Sequence, residues 1–266
     1  MAFDISNFVI DRCLRGVMTS TADGSVMYSI NQIEEPSLNI SADEVTAVDA
    51  LGTTIATYNR AKNAEFSASN SLFDLGLLAA QMGTEKKVAS DTSKLTVPIF
   101  ETIDVAKGAT TAELKYTPVT GAIDAIYELK GDSTLGTKYT VTTGAATDTQ
   151  FVYDNASKTI TLPTSITEEC QIFVMYEYET ETAVSVAGTA TEFPRAGKFV
   201  LEVLGNDVCD PTTLIYAYLV FPNAKLVSNV DLTFTTEGKH PFTLKCQQNY
   251  CDKDKKLFEI IIPQID

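Results

Sequence analysis

The chain has one histidine, His240, and no tryptophan in 266 residues. The first shortage removes most routes to a histidine-activated nucleophile or a multi-histidine metal site, since both need an imidazole held beside a second functional group. The second leaves tyrosine and phenylalanine as the only material for an aromatic platform. Cysteine is sparse and odd in number: Cys13, Cys170, Cys209, Cys246 and Cys251 cannot all pair within one chain, and free thiols are expected. Cys246 and Cys251 in CQQNYC could join Cys209 and His240 as four zinc ligands, but the knuckle is wider than the usual two-residue gap. Buried or free thiols are the preferred reading, and His240, in TEGKHP, reads as an exposed turn residue. No metal and no cofactor are expected.

Long apolar runs are missing too. The stretch Leu214 to Phe221 is far shorter than the roughly 20 residues a helix needs to cross a bilayer, so no membrane span is expected. The start, MAFDISNFVIDRCLRG, lacks the basic opening, unbroken apolar run and small-residue cleavage site of a secretory signal, and predicts synthesis in a cytoplasm. There is no GxxxxGK phosphate loop, GxSxG elbow, HExxH helix or DxDxDG calcium loop. Acid clusters at Glu34-Glu35, Asp43-Glu44, Glu168-Glu169 and Glu177, Glu179 and Glu181 read as solvated faces. In the last, alternation puts the three glutamates opposite Tyr176 and Tyr178. An enzyme is not expected.

What is abundant is acid. The formal charge is −15. Acids outnumber bases 12 to 7 over residues 1–94, 13 to 5 over 95–190 and 10 to 8 over 191–266, so the middle of the chain is the most acidic. A field of this sign disfavours ordinary DNA binding, in which Lys and Arg displace counterions from phosphates. It suits a wall past which DNA must slide without being held, and it also keeps a soluble protein soluble.

The other abundance is strand pattern. Thr, Val, Ile, Tyr and Phe alternate with polar residues between Gly, Pro, Asn and Asp turns, which predicts a mainly β protein. Helical periodicity is confined to Ser69–Met82, with Leu72, Leu75, Leu78 and Ala79 on one face and Gly83 at its end. A short helix at Ser6–Gly16 competes there with an extended arm. Boundary signals near Ser90–Val97 and Ala187–Pro194 divide the chain into residues 1–96, 97–188 and 189–266. The middle part has about seven short strands with regular turns, the pattern of an inserted β-sandwich of immunoglobulin-like size. The outer parts read as one discontinuous core. Its late strands include Val230–Thr236 and Phe242–Gln247, joined by a hairpin bend at Gly238.

Two stretches carry a resemblance: VMYSINQIEEPSLNISADEVTAVDALGTTIATYNRAKNAEFSASNSLFDLGLLAAQMGT and FPNAKLVSNVDLTFTTEGKHPFTLKCQ. Together they resemble the strand pair, long loop, second strand, helix and closing hairpin of long-tailed bacteriophage tail tube proteins. The resemblance implies a core of two packed β-sheets flanked by one helix, assembled as hexameric rings that stack into a tube through which genomic DNA passes. Partners would be the protein itself and the tail sheath, tail terminator and baseplate proteins, in a virion tail. The insertion would sit on the outer tube surface. The loop Glu34–Thr53 would touch the next ring, with Leu38, Ile40, Asp43, Glu44, Val45, Val48 and Asp49 as contact residues. Arg60 and Lys62, placed on one face by alternation, would face either solvent or a neighbouring subunit. The competing readings are another virion part, such as a head decoration or baseplate protein, and a carbohydrate- or receptor-binding sandwich module.

Overall fold

The computed structural model describes residues 5, 7–250 and 253–264. The chain forms two compact units, residues 1–86 with 186–266 and residues 87–185.

The first unit opens with four strands and the helix: β1 (Phe8–Ser20), β2 (Val26–Ile30), β3 (Ile33–Val48), β4 (Thr54–Asn70) and α1 (Leu75–Met82). The N-terminal stretch is therefore strand rather than helix from Phe8 onward, paired along its length with a later strand, while Ser6 lies outside the described residues. The helix is shorter than its periodicity predicts. Ser69 and Asn70 belong to β4, where Asn70 is buried and pairs with Ile33. Asp74 is the N-cap, its carboxylate accepting the Leu77 N–H at 2.6 Å. At the other end Gly83 takes φ 75° and lies so close to the Phe193 carbonyl that a Cβ would fall 2.3 Å from its oxygen. Only glycine meets both demands.

The second unit holds β5 (Lys87–Val88), β6 (Leu95–Val105), β7 (Thr111–Glu113), β8 (Ala125–Leu129), β9 (Leu135–Val141), β10 (Gln150–Asp154), β11 (Thr159–Thr161), β12 (Cys170–Thr180) and β13 (Val184–Ser185). Seven of these make one hydrogen-bonded path, β6-β12-β8-β9-β10-β11-β7, while β5 and β13 clasp the two points where the chain enters and leaves. Its core is separate and contains Ile126, Phe151, Ile160, Ile172 and Val174. On β12 the alternation holds, with Ile172, Val174 and Tyr176 buried and Glu177 and Glu179 exposed.

The chain then returns to the first unit as β14 (Ala196–Asp207), β15 (Asp210–Leu226), β16 (His240–Cys246) and β17 (Glu259–Ile261). These join the early strands in the order β2-β1-β14-β15-β16-β4-β3, with β17 also on β15. The expected pair of sheets is thus one continuous path of strands. It closes over a single core because inner-face side chains from both halves meet: Tyr28 of β2 and Phe66 of β4 both lie against Phe199 of β14, at ring-centre distances of 6.3 and 5.8 Å. Residues 230–236 form no strand, so the predicted hairpin with β16 is absent. β16 pairs instead with β4 and with the end of β15. The alternation of Leu232 and Phe234 gains no strand face to bury: Leu232 is only half-buried, Phe234 is 82% exposed against Phe73, and the other residues of 231–237 are exposed.

Candidate assembly surface

The connector expected as a long loop is itself a strand. Residues Ile33–Val48 are β3, and they pair with β4 from Ile33↔Asn70 out to Val48↔Thr54, leaving only the turn at residues 49–53 as loop. Alternation on either side of that turn, in ISADEVTAV and TIATYNRAK, is the signal in the sequence; the acids and the Pro36 break obscure it. In its inner half the hairpin is anchored: Ala64, Phe66 and Ala68 are buried, and Leu38 packs against the same core. Beyond Ser41 and Asn63 nothing is buried. The outer half is a two-stranded arm with Val45, Val48, Leu51, Ile55 and Tyr58 all more than 40% exposed. An isolated two-stranded ribbon is marginal in water, and apolar residues on both its strands are an unmet demand for a partner.

Local chemistry shapes the arm. Asp49 closes the tip, its carboxylate accepting the Leu51 and Thr53 N–H groups at 2.9 and 2.8 Å, with Gly52 at φ 84° completing the bend. Three register shifts interrupt the ladder, the last of them near the tip where Ala47 pairs with Ala56 and Val48 with Thr54. At Glu35 (φ 53°) β3 gains one residue, and at Ala61 (φ 48°) β4 does. The second bulge, at Ala61, corrects the expectation that Arg60 and Lys62 share a face. Asp43 pairs with Arg60 and Ser41 with Asn63, so Arg60 shares a face with Asn63, and the extra residue turns Lys62 to the other side. The arm therefore offers Arg60 beside Asp43 on one face and Lys62 on the opposite face.

At the base of the hairpin lies His240, paired with Asn70 and fully buried rather than exposed in a turn. It accepts the Asp74 N–H at Nδ1 (3.3 Å), and its Nε2 lies 2.8 Å from Gln81 Oε1, which makes Nε2–H the donor in the neutral ring. Gln81 in turn donates to the Pro241 carbonyl, and Phe73 stacks on the imidazole at 5.2 Å. Burial holds the His240 pKa below its ordinary value, with the Asp74 charge opposing more weakly. The lone histidine is thus a structural joint between α1 and the hairpin. Outside, Lys239 bridges Glu34 (2.8 Å) and Glu35 (3.2 Å), tying the preceding loop to the first bulge.

Three of the thiols, Cys13, Cys170 and Cys246, pack half-buried against the cores, and Cys209 is exposed. Cys13, Cys170, Cys209 and Cys246 are free, Cys246 pushed up to about 11 by burial and by the Glu65 charge. Cys251 lies outside the described residues, among which no cluster of His, Cys, Asp or Glu is placed to hold a metal. Among the same residues no helix is long and apolar enough to cross a membrane.

Open sheet edge completes the surface. β3 ends the strand order, and β2 covers β1 only from Gly16 to Thr19, so among the described residues the outer side of Phe8–Arg15 has no strand partner. Val9 and Ile10 on that stretch are 48% and 60% exposed. Of the contact residues expected from sequence, Ile40, Asp43, Glu44, Val45 and Val48 lie exposed on the hairpin, Leu38 belongs to the core rim, and Asp49 holds the tip. Sequence reasoning missed Ile55 and Tyr58, which the second strand adds to the same arm.

A mainly β chain with no reactive site assembled among its described residues, an unfilled sheet edge at each end and a projecting arm has the features of a self-associating structural protein. Residues 8–256 match the YomU/Tube protein family, and the chain belongs to that family of phage tube proteins. Comparison with curated proteins returned no match. The protein is accordingly a structural component of a phage tail.

Proposed function

We propose that the protein is a tail tube subunit that forms hexameric rings, stacked into the channel through which the phage genome passes. The observation that carries this reading is the exposed β3–β4 arm on a sheet with open ends, in a chain of the tube family. Two different open edges on one sheet make a heterologous contact, and such contacts generate rings when the rotation closes. The arm then reaches the adjacent ring with Ile40, Val45, Val48, Ile55 and Tyr58 as its apolar contacts and Asp43, Glu44, Arg60 and Lys62 as the polar ones. The excess of acid, 35 against 20 bases, suits a conduit that does not retain phosphate. Tail terminator and baseplate proteins, with a sheath where the tail is contractile, are the neighbours that suit this role, and catalysis has no part in it.

The test removes the arm without touching the core. Ser41 and Asn63 are cross-strand partners, so an Asn-Gly turn joining them replaces residues 42–62 at a natural hairpin position. The unassembled variant keeps the melting behaviour of the parent and forms no rods in negative-stain microscopy, whereas the parent forms tubes with sixfold rings. Full-length tubes from the shortened chain would remove the arm from the stacking role.

A further inference from the structure

The residues 87–185 unit carries a cleft of about 620 Å³ that the tube reading leaves without a use. One wall is a pair of tyrosines, Tyr116 and Tyr178, stacked 4.0 Å apart and within 4° of parallel. Both are half-buried, with their inner parts against the unit's core. The lining also takes in the segment 117–121, Asn155 and Glu179.

The cleft is held rigid from beneath. Tyr176 accepts the Tyr116 N–H at 3.1 Å and donates to Glu101 at 2.6 Å, while the Val119 N–H is bound to the Glu177 carbonyl at 2.8 Å. Pro118 and the Gly121 turn (φ 66°) fix that segment, and a side chain at Gly121 would press on the Asn155 amide at 3.3 Å. A pre-formed site loses little entropy on binding. The Thr117 hydroxyl, the Asn155 side-chain NH2 and the Glu179 carboxylate are all on exposed residues at the cleft, where they offer a donor or an acceptor to a ligand.

The chemistry of the ligand follows from what lines the site. The one cation placed against a lining residue is Lys115, whose Nζ stands over the Tyr116 ring at 5.3 Å, and the surrounding stretch is the most acidic of the chain, which disfavours a polyanion such as nucleic acid. The tyrosines are already in contact, so no flat aromatic ring slides between them. A ligand with an apolar face and a ring of hydroxyls fits: with Tyr116 taken up by Tyr178 and the Lys115 ammonium, its C–H face meets Tyr178, and its hydroxyls meet donors and acceptors at fixed places. We infer that the cleft between Tyr116–Tyr178 and Asn155 is a binding site for a neutral or amino sugar, with Glu179 favouring the amino form. This site is independent of the tube reading, because none of its residues belongs to the arm or to the open edges of the first unit's sheet.

The test is calorimetric titration of the full-length chain with four probes: an N-acetylglucosamine tetramer, a glucosamine tetramer, maltoheptaose and a glycerol phosphate polymer. At least one of the three sugars binds saturably, and the polymer does not. Asn155→Ala and Glu179→Gln, both at exposed positions, leave the melting temperature unchanged and weaken that sugar about tenfold, a loss measurable against the parent. Tyr178→Phe retains binding if the ring face is the contact, and Tyr178→Ala abolishes it. The inference is overturned if no sugar binds, if the polyanion binds as well as the sugars, or if the exposed variants bind like the parent. The arm-shortened chain binds sugar normally, so failure of tube assembly and failure of this site are read separately.

Discussion

The inner and outer halves of the β3–β4 hairpin are one pair of strands with one hydrogen-bond ladder, yet they obey different rules. From Ala64 to Asn70 every second residue of β4 is buried, and Phe66 touches Phe199, Phe221 and Phe242. From Thr54 to Asn63 none is. The comparison teaches that backbone pairing sets the shape of a ribbon, while side-chain burial decides how firmly it is held. The inner half belongs to the fold of the monomer. The outer half is buried by none of the described residues, and the tube proposed above would cover it with another molecule.

Substitutions along the hairpin sharpen the contrast. The largest effect is expected at Phe66→Ala, which opens a hole in the four-phenylalanine cluster and costs about 3–5 kcal/mol in urea unfolding of the unassembled chain. Tyr58→Ala, the same kind of truncation on the outer half, changes monomer stability by no more than about 0.5 kcal/mol and shows itself in loss of assembly. Equal monomer effects at the two sites would erase the distinction.

A smaller effect comes from the base, and it depends on pH. His240 is neutral in the fold with its pKa below the ordinary 6.5, so as pH falls the unfolded chain takes up this proton first. Its contribution is complete above about pH 6.5 and declines as pH drops from there towards the folded-state value. Nuclear magnetic resonance titration of the single imidazole should place its midpoint below 6.5, and unfolding curves at pH 7.5 and 5.5 should show the lower stability at 5.5. A midpoint above 6.5 would reverse the sign and contradict the buried neutral ring.

The smallest effect is expected at the tip. Asp49→Ala removes two hydrogen bonds from an exposed turn, and global stability shifts by about 0.5 kcal/mol or less. Amide exchange at Leu51 and Thr53 nonetheless quickens, because their N–H groups lose their acceptor. Unchanged exchange would mean that the ladder alone holds the turn.

Much of this molecule is legible in the order of its residues. Period-two alternation identifies strands at residues 99–105 and 170–179 because each has one wet and one dry face, and that periodicity is a property of the chain itself. The missing catalytic motifs and the tube-like phrasing of the two core segments are likewise matters of residue identity. What alternation cannot decide is any feature set by a remote partner. Ser69 and Asn70 look like a helix start until β16 claims them as strand, and His240 looks exposed until Gln81 and the Asp74 amide, distant in sequence, surround it. Arg60 and Lys62 share a face by counting and lose it through one bulge at Ala61. Local pattern reports which side of a strand is apolar, but only the folded chain decides what covers that side, and where, as on the arm, none of the described residues does.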